Sequence, residues 1–345
     1  MNNLRILYTG SLHKTSNSFR RYSSLERMGF GMEALDTDGY VYCGGILEKL
    51  HHHLNWGPGI SRYNYRLFEL AKSFKPDILW IDNRSFVQPG TLHKISTECP
   101  HIKVMQLITD DPFGNRKLSW RLTHAAASMI DCHFVQRTTN IREFKSKGAK
   151  NVNICYRSFD PEFNRPVELK GNELNKYYCA VGFVGTYEEP RAAYISYLIN
   201  NGVEVYVTGN DWPGQKYWDV IKPFYRGPSV YGDEYIKTLC GMDIALHFLR
   251  HMNRDEQDSR TFEIPASKVF MIAEGSDVHK ILFREDEEAV FFESKEELLT
   301  KVKLYLNDKK RRMEIAEKGY KRCYSSGYDH QSRLKEVVST VTGIR

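Results

Sequence analysis

The sequence predicts an α/β protein with two doubly wound domains, and three observations lead to that prediction. The chain has 345 residues, which at roughly 150 residues per domain is the length of about two domains. Short apolar runs alternate with amphipathic helical stretches, a pattern typical of parallel sheets covered by helices on both faces. The alternation stops at Asp160–Leu174, where prolines and charges without periodicity indicate a linker.

The first half of the chain contains five short apolar runs that predict strands, and the stretches between them have the spacing of helices. The predicted strands are Leu4–Thr9, Met32–Leu35, Ile78–Ile81, Val104–Ile108 and Cys132–Val135. The predicted helices are Ser18–Met28, Tyr63–Phe74 and Asn140–Ser146. Together they form a first domain over residues 1–165.

The second half repeats the alternation and predicts a second domain over residues 166–325, followed by a final helix within 326–345. The predicted strands are Val181–Val184, Val203–Thr208, Ile244–Phe248, Val269–Ala273 and Ala289–Phe292. The predicted helices are Ala192–Asn200, Tyr235–Cys240, one that starts at about Phe262, Leu298–Leu306, Lys309–Tyr324 and Gln331–Val341. Because ligands of such domains bind at the carboxyl ends of the strands, we expect a binding cleft between the two domains.

Composition and charge favour a soluble protein that binds a phosphate-bearing ligand. Hydrophobic residues make up 41% and charged residues 27% of the chain, and the net charge is +6. So small a basic excess suits phosphate ligands without requiring nucleic acid. The basic run Lys309–Arg312 (KKRR) is interpreted as a solvated helix face, and contact with nucleic acid is the less favoured alternative.

The seven cysteines are scattered without a CxxC pair, which argues against a disulfide scaffold and a structural zinc site and favours a reducing cytoplasm. Three consecutive histidines, His51–His53, cannot share one face and indicate a solvated loop or helix start rather than a metal site. The N-terminal residues lack the pattern of a signal peptide. No apolar run reaches the roughly 18 residues of a membrane span.

The densest cluster of chemically active residues is Asn253–Glu274, a charged loop that leads into a helix. A helix N-terminus offers free N–H groups and a positive dipole end to a phosphate. Arg254 and Arg260 could contact the same phosphate, and Glu263 in the first helical turn could accept hydrogen bonds from a ribose diol. The alternative is an ordinary capped helix start, in which acidic residues are common.

Two predicted strands of the second domain end in glycine-containing loops, VGFVGTYEEPR and VTGNDW. Gly185 and Gly209 would let a ligand approach the backbone, and the amide of Asn210 could read the edge of a base. Arg191 lies near the start of the next helix. The alternative is that both glycines only form turns.

Two strand ends of the first domain also carry candidate residues. Gly10 follows the first strand in LYTGSLHK and is predicted to contact the donor, although neither GxGxxG nor a P-loop motif is present. Asp110 and Asp111 follow another strand in TDDPFG, where carboxylates could act as a general base or bind acceptor hydroxyls. The alternative is an Asp-Pro turn in which an aspartate caps a helix.

Several of these segments, in this order, resemble two-domain glycosyltransferases of the GT-B fold, in particular the group-one type that includes the spore-maturation protein CgeB. The resemblance covers nearly the whole chain. The segments that carry it are ILYTGSL, KPDILWID, TDDPFG, YRSFDPEFNRPVE, VGFVGTYEEPRAAYI, VTGNDW, GPSVYGDEY, NRDEQDSRTFEIPAS, MIAEGSDVHKILF and EAVFFESKEELLTKVKLYL.

The resemblance implies roles for individual residues. Retaining group-one enzymes have two glutamates eight positions apart, and Glu263 matches the second, which binds the nucleotide ribose. Asp255 takes the position of the first, near the transferred sugar. Arg191 lies near the family's phosphate-binding basic residue. Thr186 replaces an arginine that usually follows the strand glycine, and Arg260 could compensate for it.

The implied activity is transfer of a sugar from a nucleotide-sugar donor, expected to be a UDP-sugar, to a hydroxyl of a glycan, a protein or another surface polymer. Retention of configuration is implied, and the shorter acid at Asp255 leaves the stereochemistry open. The resemblance implies no cofactor and no obligatory metal, and a final helix that crosses back to the first domain. Two alternatives stay open: glycosylation of a hydroxylated DNA base, and a non-catalytic protein that binds sugar nucleotides or glycans. The sugar, the base, the acceptor and the oligomeric state do not follow from the sequence.

Overall fold

The computed structural model describes residues 4–41, 45, 51, 55–84, 86–114 and 117–344. By their internal contacts the residues form two compact units. The first comprises Met1–Tyr156, His251–Asp255 and His330–Arg345, and the second comprises Arg157–Arg250 and Glu256–Asp329. The division at 156/157 lies nine residues before the predicted one at 165/166, and the first unit also includes a short segment from the middle of the second half.

The first unit contains a parallel six-stranded sheet in the order β2-β1-β3-β4-β5-β6. Its strands are β1 (Arg5–Gly10), β2 (Gly31–Asp36), β3 (Ile78–Asp82), β4 (Lys103–Ile108), β5 (Cys132–Val135) and β6 (Val152–Ile154). The direction of strand addition reverses between β1 and β3.

The second unit contains another parallel six-stranded sheet, in the order β12-β11-β10-β7-β8-β9. Its strands are β7 (Cys179–Val184), β8 (Tyr206–Thr208), β9 (Tyr225–Gly227), β10 (Met242–His247), β11 (Met271–Glu274) and β12 (Val290–Phe292). Read from β9, this is the order 3-2-1-4-5-6 of dinucleotide-binding α/β domains. The direction reverses between β7 and β10.

Helices connect the strands in both units. Those of the first unit are α1 (Asn17–Arg27), α2 (Asp38–Val41), α3 (Pro58–Phe74), α4 (Pro89–Glu98), α5 (Arg121–Ala126), α6 (Thr138–Ser146) and α15 (His330–Thr342). Those of the second are α7 (Asn172–Tyr177), α8 (Glu189–Asn200), α9 (Trp218–Ile221), α10 (Asp233–Cys240), α11 (Ser259–Ala266), α12 (Asp277–Leu282), α13 (Lys295–Asn307) and α14 (Lys309–Ser325).

The central strands are buried on both faces, because helices cover each sheet from both sides. In β1, the consecutive residues Ile6, Leu7 and Tyr8 are all fully buried. The last helix, α15, completes the core on one face of the first sheet with its buried residues Leu334, Val337, Val338 and Val341.

The predicted strands are present, but two real strands were missed. These are β6 and β9, which have three residues each and form the outer edge of their sheets. Both strands are only partly buried and each contains a polar residue, so they lack the continuous apolar run by which the other strands were recognised. Six of the described helices were missed as well: α2, α4, α5, α7, α9 and α12.

Part of the predicted linker is packed into the second unit. Phe159, Asp160 and Asn164 are almost fully buried. The amide of Asp160 donates to Asn164 Oδ1 at 3.1 Å, and the amide of Asn164 donates to the carbonyl oxygen of Asp160 at 2.7 Å. These local hydrogen bonds satisfy the backbone where no helix or strand exists.

His51 is buried rather than solvated, so that prediction was wrong for this residue. Its Nε2 lies 3.3 Å from the amide of Gly59, and its Nδ1 lies 3.2 Å from the carbonyl oxygen of Val41. His52, His53 and Cys43 lie outside the described residues.

The basic run Lys309–Arg312 is not uniformly a solvated face. Arg312 is 6% exposed and donates to the carbonyl oxygens of Tyr305 and Leu306 at the C-terminal end of α13. It also forms an ion pair with Asp243 at 3.1 Å. A cation at this position stabilises the end of a helix, which explains Arg312 without an external ligand.

In the described part of the chain, no helix has both the length and the apolar character needed to cross a bilayer.

Candidate functional site

Ligands of doubly wound sheets bind beyond the carboxyl ends of the strands where the strand order reverses. In the second unit this point lies between β7 and β10. The loop after β7 contains Gly185, Thr186 and Glu188, and the segment after β10 contains Leu249 and Arg250. These residues therefore come first in the description of the site.

Gly209 and Gly185 bring the loops after β8 and β7 into direct backbone contact. Gly209 has φ +157°, and a Cβ at this position would lie 1.9 Å from the carbonyl oxygen of Gly185. The same carbonyl accepts a hydrogen bond of 2.8 Å from Trp212 Nε1. Glycine at 209 is thus required by the packing of the two loops, whatever ligand they bind.

Arg191, in the first turn of α8, is buried and ties the two sides of the reversal together. It donates to the carbonyl oxygen of Thr186 at 3.1 Å and to that of Leu249 at 3.2 Å. Its NH2 also lies 3.4 Å from Glu188 Oε2. Burial lowers the pKa of Arg191, and the neighbouring cation Arg260 lowers it further. Within the described residues, its Nε–H has no hydrogen-bond partner.

Arg250 is a candidate that the sequence analysis missed. Its Nε donates to Glu188 Oε1 at 2.7 Å, while half of its side chain is exposed. The available signal was its position, because it lies three residues after β10, a buried strand at the reversal. Arg191, Arg250 and Arg260 thus form a group of three guanidinium ions with two carboxylates, Glu188 and Asp258.

The helix α11 begins at Ser259, three residues before the predicted start. Asp258 is its N-cap: the side chain accepts from the amide of Arg260 at 2.7 Å, and Thr261 completes a capping box. Burial opposes ionisation of Asp258, but the adjacent His247 and Arg260 hold its pKa well below the usual range. The cap thus uses the amide N–H of Arg260, which lies among the N–H groups that the sequence analysis offered to a phosphate.

Two buried histidines support the start of α11. His247 Nε2 lies 2.9 Å from Asp258 Oδ1, and the rings of His247 and His279 are 5.3 Å apart. His279 Nε2 lies 2.8 Å from Thr261 Oγ1, and its Nδ1 lies 2.8 Å from the carbonyl oxygen of Glu274. Burial and the neighbouring His247 lower the pKa of His279 to about 3. His279 is therefore neutral at pH 7.

Glu263 is the fifth residue of α11, so the prediction that it lies in the first turn was wrong. The helix, capped by Asp258, starts three residues earlier than predicted. The residue is 7% exposed. Its Oε2 accepts a hydrogen bond of 2.6 Å from the hydroxyl of Tyr235 in α10. Burial and the Glu263 carboxylate raise the pKa of Tyr235 well above 10, so the phenol stays protonated.

Asn210 is exposed after β8. Its Oδ1 accepts from the amide of Ser229 at 2.9 Å, which ties this loop to the one after β9. The side chain of Thr186 is exposed too, and only its carbonyl oxygen is used by Arg191.

In the first unit, Asp111 is the centre of a buried polar cluster. Its carboxylate accepts hydrogen bonds from Arg254 Nε and NH2 at 2.5 and 2.8 Å. It also accepts hydrogen bonds from the amide of Phe113 at 3.0 Å and from Asn140 Nδ2 at 3.1 Å. Burial opposes ionisation, yet these donors lower the pKa of Asp111 below its usual value. Arg254 also contacts Glu143 at 2.9 Å. A carboxylate held this way is a weak base.

Asp255 is paired as well. It forms an ion pair with Arg137, whose side chain is 1% exposed, and accepts from Asn253 Nδ2 at 2.8 Å. Arg137 also donates to the carbonyl oxygens of Asn253 and Thr109. The ion pairs described for Asp255 and Arg254 therefore lie in the first unit, whereas Arg260 and Glu263 belong to the second.

Asp110 is half-buried and hydrogen-bonded to Asn83 Nδ2 at 2.9 Å, in the loop after β4. Gly10 ends β1, and a Cβ there would lie 2.5 Å from Ser18 Oγ and 2.9 Å from Asp82 Cβ. Asp82 in turn forms a buried bidentate ion pair with Arg21. Glycine at position 10 is thus explained by internal packing, and its predicted contact with a donor stays a prediction.

Among the described residues, no three or more histidine, cysteine or acidic side chains are grouped as a metal site requires.

Comparisons with known proteins agree with this architecture. Residues 192–339 match the family model described as "Glycosyl transferase-like". None of the curated protein sequences compared with the chain gives a significant match.

Solved structures that are similar over the full length include the following three. A glycosyltransferase from Rickettsia africae has a TM-score of 0.68 at 12% identity, with 100% of this chain and 99% of that chain covered. The sucrose-phosphate synthase of Thermosynechococcus elongatus has a TM-score of 0.69 at 8% identity, with coverage of 99% and 100%. Anabaena HepE in complex with UDP and glucose has a TM-score of 0.65 at 12% identity, again with coverage of 99% and 100%.

At these identities the structures establish the fold alone. The family match supports a glycosyltransferase for the part of the chain that it covers. The chain has the GT-B glycosyltransferase fold, and its residues 192–339 are glycosyl transferase-like.

Proposed function

We propose that this protein is a glycosyltransferase of the CgeB-like group that transfers a sugar from a UDP-sugar to a hydroxyl acceptor, with retention and without an obligatory metal. The match of residues 192–339 to a glycosyl transferase-like family supports the reaction class. The similar fold of HepE, solved with UDP and glucose, supports the donor. The donor binds in the second unit and the acceptor in the first.

The observation that carries this proposal is the arginine group at the reversal between β7 and β10. Arg191 and Arg260 each have a buried Nε–H without a hydrogen-bond partner among the described residues. A buried unsatisfied donor costs roughly 1–3 kcal/mol, so such groups are usually kept for a ligand. A diphosphate offers acceptor oxygens to both, and the half-exposed Arg250 adds a third cation.

These residues assist the reaction by stabilising the charge of the departing diphosphate. Breaking the bond between sugar and phosphate leaves negative charge on the UDP oxygens, which fixed guanidinium ions stabilise without reorganisation. The cations replace a divalent metal in this role, which is why we propose metal independence. Glu263 accepts hydrogen bonds from the ribose hydroxyls.

Asp110 is the best candidate for orienting or deprotonating the acceptor hydroxyl. Asp111 and Asp255 are both engaged in ion pairs with arginines. Asp110 is half-buried in the loop after β4, at the strand end where ligands of such sheets bind, and it is hydrogen-bonded to the neutral amide of Asn83.

Calorimetric titration with UDP and with uridine, in the presence of EDTA, tests the donor site. We expect UDP to bind more tightly than uridine, and Arg260→Gln to weaken UDP binding at least tenfold while leaving uridine unchanged. Arg284→Gln is the matched control, because Arg284 is an exposed arginine of the same unit that pairs with Glu288. Equal affinity for UDP and uridine in the unmodified protein would contradict the proposed diphosphate site.

A turnover assay separates the enzyme from a non-catalytic binder. Slow release of UDP from UDP-sugars without acceptor is expected, and Asp110→Asn should reduce acceptor-dependent turnover while leaving UDP affinity intact. Binding of UDP-sugar with no turnover for any hydroxyl acceptor, hydroxymethylated DNA included, would identify a binding protein instead.

A further inference from the structure

We propose that Tyr235 is a positioning residue for Glu263: its hydroxyl fixes the carboxylate in the orientation that accepts the ribose diol of the donor. This inference rests on the proposed donor site and extends it to a residue outside the loops that follow β7 and β10. The hydrogen bond from Tyr235 to Glu263 Oε2, 2.6 Å long, joins two different helices.

Both residues lie at the sheet edge where the donor is expected. Tyr235 is the third residue of α10, which follows β9, and Glu263 is the fifth residue of α11, which follows β10. The strands are parallel, so the helices after them start at the same carboxyl edge. This is the edge at which doubly wound sheets bind nucleotides.

The chemistry of the pair fixes which atom donates. Burial and the adjacent carboxylate raise the pKa of Tyr235 well above 10. The phenol therefore stays protonated and is the donor of the hydrogen bond to Glu263. A donor–acceptor distance of 2.6 Å is typical of a hydrogen bond to a charged oxygen.

The terminal torsion of a glutamate side chain is broad, so its carboxylate plane rotates easily unless something holds it. The hydroxyl of Tyr235 holds one oxygen, Oε2. The plane of the carboxylate is then set before the nucleotide arrives, which lowers the entropic cost of binding two vicinal hydroxyls.

A positively charged neighbour completes the arrangement. Arg260 precedes Glu263 by three residues in α11, so the two side chains lie on the same face of the helix. Both act electrostatically on Tyr235, in opposite directions: Glu263 raises its pKa and Arg260 lowers it. Tyr235 thus links the residue proposed for the ribose to a residue proposed for the diphosphate.

A purely structural role makes a different prediction. If the hydrogen bond only joins α10 to α11, its loss would lower the affinity for all ligands of the second unit equally. If it positions Glu263, its loss would weaken only ligands that offer a ribose diol. UDP and 2′-deoxy-UDP differ by one hydroxyl of that diol and share the base and the diphosphate.

The test is calorimetry of UDP and 2′-deoxy-UDP with the unmodified protein, Tyr235→Phe, Glu263→Ala and the double variant. We expect Tyr235→Phe to lower the affinity for UDP three- to tenfold and the affinity for 2′-deoxy-UDP less than twofold. In the Glu263→Ala background, Tyr235→Phe should have no further effect on UDP. Tyr305→Phe is the matched control, since it removes another hydrogen bond from a tyrosine to a carboxylate in the same unit, that to Asp286.

An equal loss of affinity for both nucleotides in Tyr235→Phe, or no loss for either, would overturn the inference while leaving the donor site in place. Absence of UDP binding to the unmodified protein would overturn the proposed function itself, and this inference with it. A melting temperature of Tyr235→Phe close to that of Tyr305→Phe shows that both variants are folded.

Discussion

Arg254 donates from both Nε and NH2 to the carboxylate of Asp111, although the two residues are 143 positions apart in the sequence. A second pair runs the other way, from Arg137 to Asp255, over 118 positions. The two pairs hold the segment His251–Asp255 in the first unit, between stretches of chain that belong to the second. Two residues with predicted chemical roles, Asp111 and Asp255, are thereby part of a structural connection.

Asp111→Asn should destabilise the first unit by roughly 1–3 kcal/mol, because it removes the charge that accepts two hydrogen bonds from Arg254. Urea unfolding at pH 7 measures the loss. The control is Lys72→Ala, which breaks an exposed ion pair with Glu98 and should leave stability almost unchanged. Equal stability of the two variants would show that the Asp111 cluster contributes nothing special.

Glu263→Ala should weaken UDP binding roughly tenfold to a hundredfold, since hydrogen bonds to a charged group contribute about 1.5–3 kcal/mol and about 1.4 kcal/mol corresponds to one decade in affinity. Affinity is measured by calorimetry and stability by the melting temperature of the same sample. An unchanged affinity in a destabilised protein would mean that Glu263 serves only the packing of α11.

Gly209→Ala should unfold or severely destabilise the second unit, because its Cβ would lie 1.9 Å from the carbonyl oxygen of Gly185. Gly214→Ala provides the comparison. Gly214 also has a positive φ, +76°, but no atom lies within 4 Å of its Cβ position, so only the backbone strain of about 1 kcal/mol remains. Similar melting temperatures for the two variants would disprove the close packing of the two loops.

Stability should fall as the pH decreases from 7 to 5, in part because of His279. The folded-state pKa of His279 is lowered to about 3 from the unfolded value of 6.5. Below pH 6.5 this imidazole is therefore protonated in the unfolded chain but still neutral in the folded protein. This histidine then costs roughly 2 kcal/mol at pH 5 and almost nothing at pH 7. His279→Gln should lose less stability over that range in urea titrations. An identical pH dependence in both proteins would refute the assignment.

Much of the fold follows from the sequence because buried parallel strands have a signature that solvent-facing segments lack. Runs such as Ile78–Ile81 and Val181–Val184 are continuously apolar, and each lies within a strand. The edge strands β6 and β9 contain polar residues, and no comparable run marks them.

The candidate site was predictable in its loops and less so in its contacts. The strand-end glycines and the charged entry to α11 are visible in the sequence. What pairs with Arg254 or Asp255 depends on residues more than 100 positions away, and nothing in local spacing reveals such a partner. The Tyr235–Glu263 hydrogen bond joins residues only 28 positions apart, and it was missed because local spacing does not show which residues of two different helices meet.

The first unit cannot be completed until the end of the chain has been synthesised. The first unit draws on the start of the chain, on His251–Asp255 and on His330–Arg345. A nascent chain that has just completed β6 therefore still lacks Leu334 and Val338, which close one face of its core. That face stays open to the surroundings until the second unit has been made, so we expect fragments that stop near residue 156 to bind chaperones or aggregate, whereas the complete chain buries it.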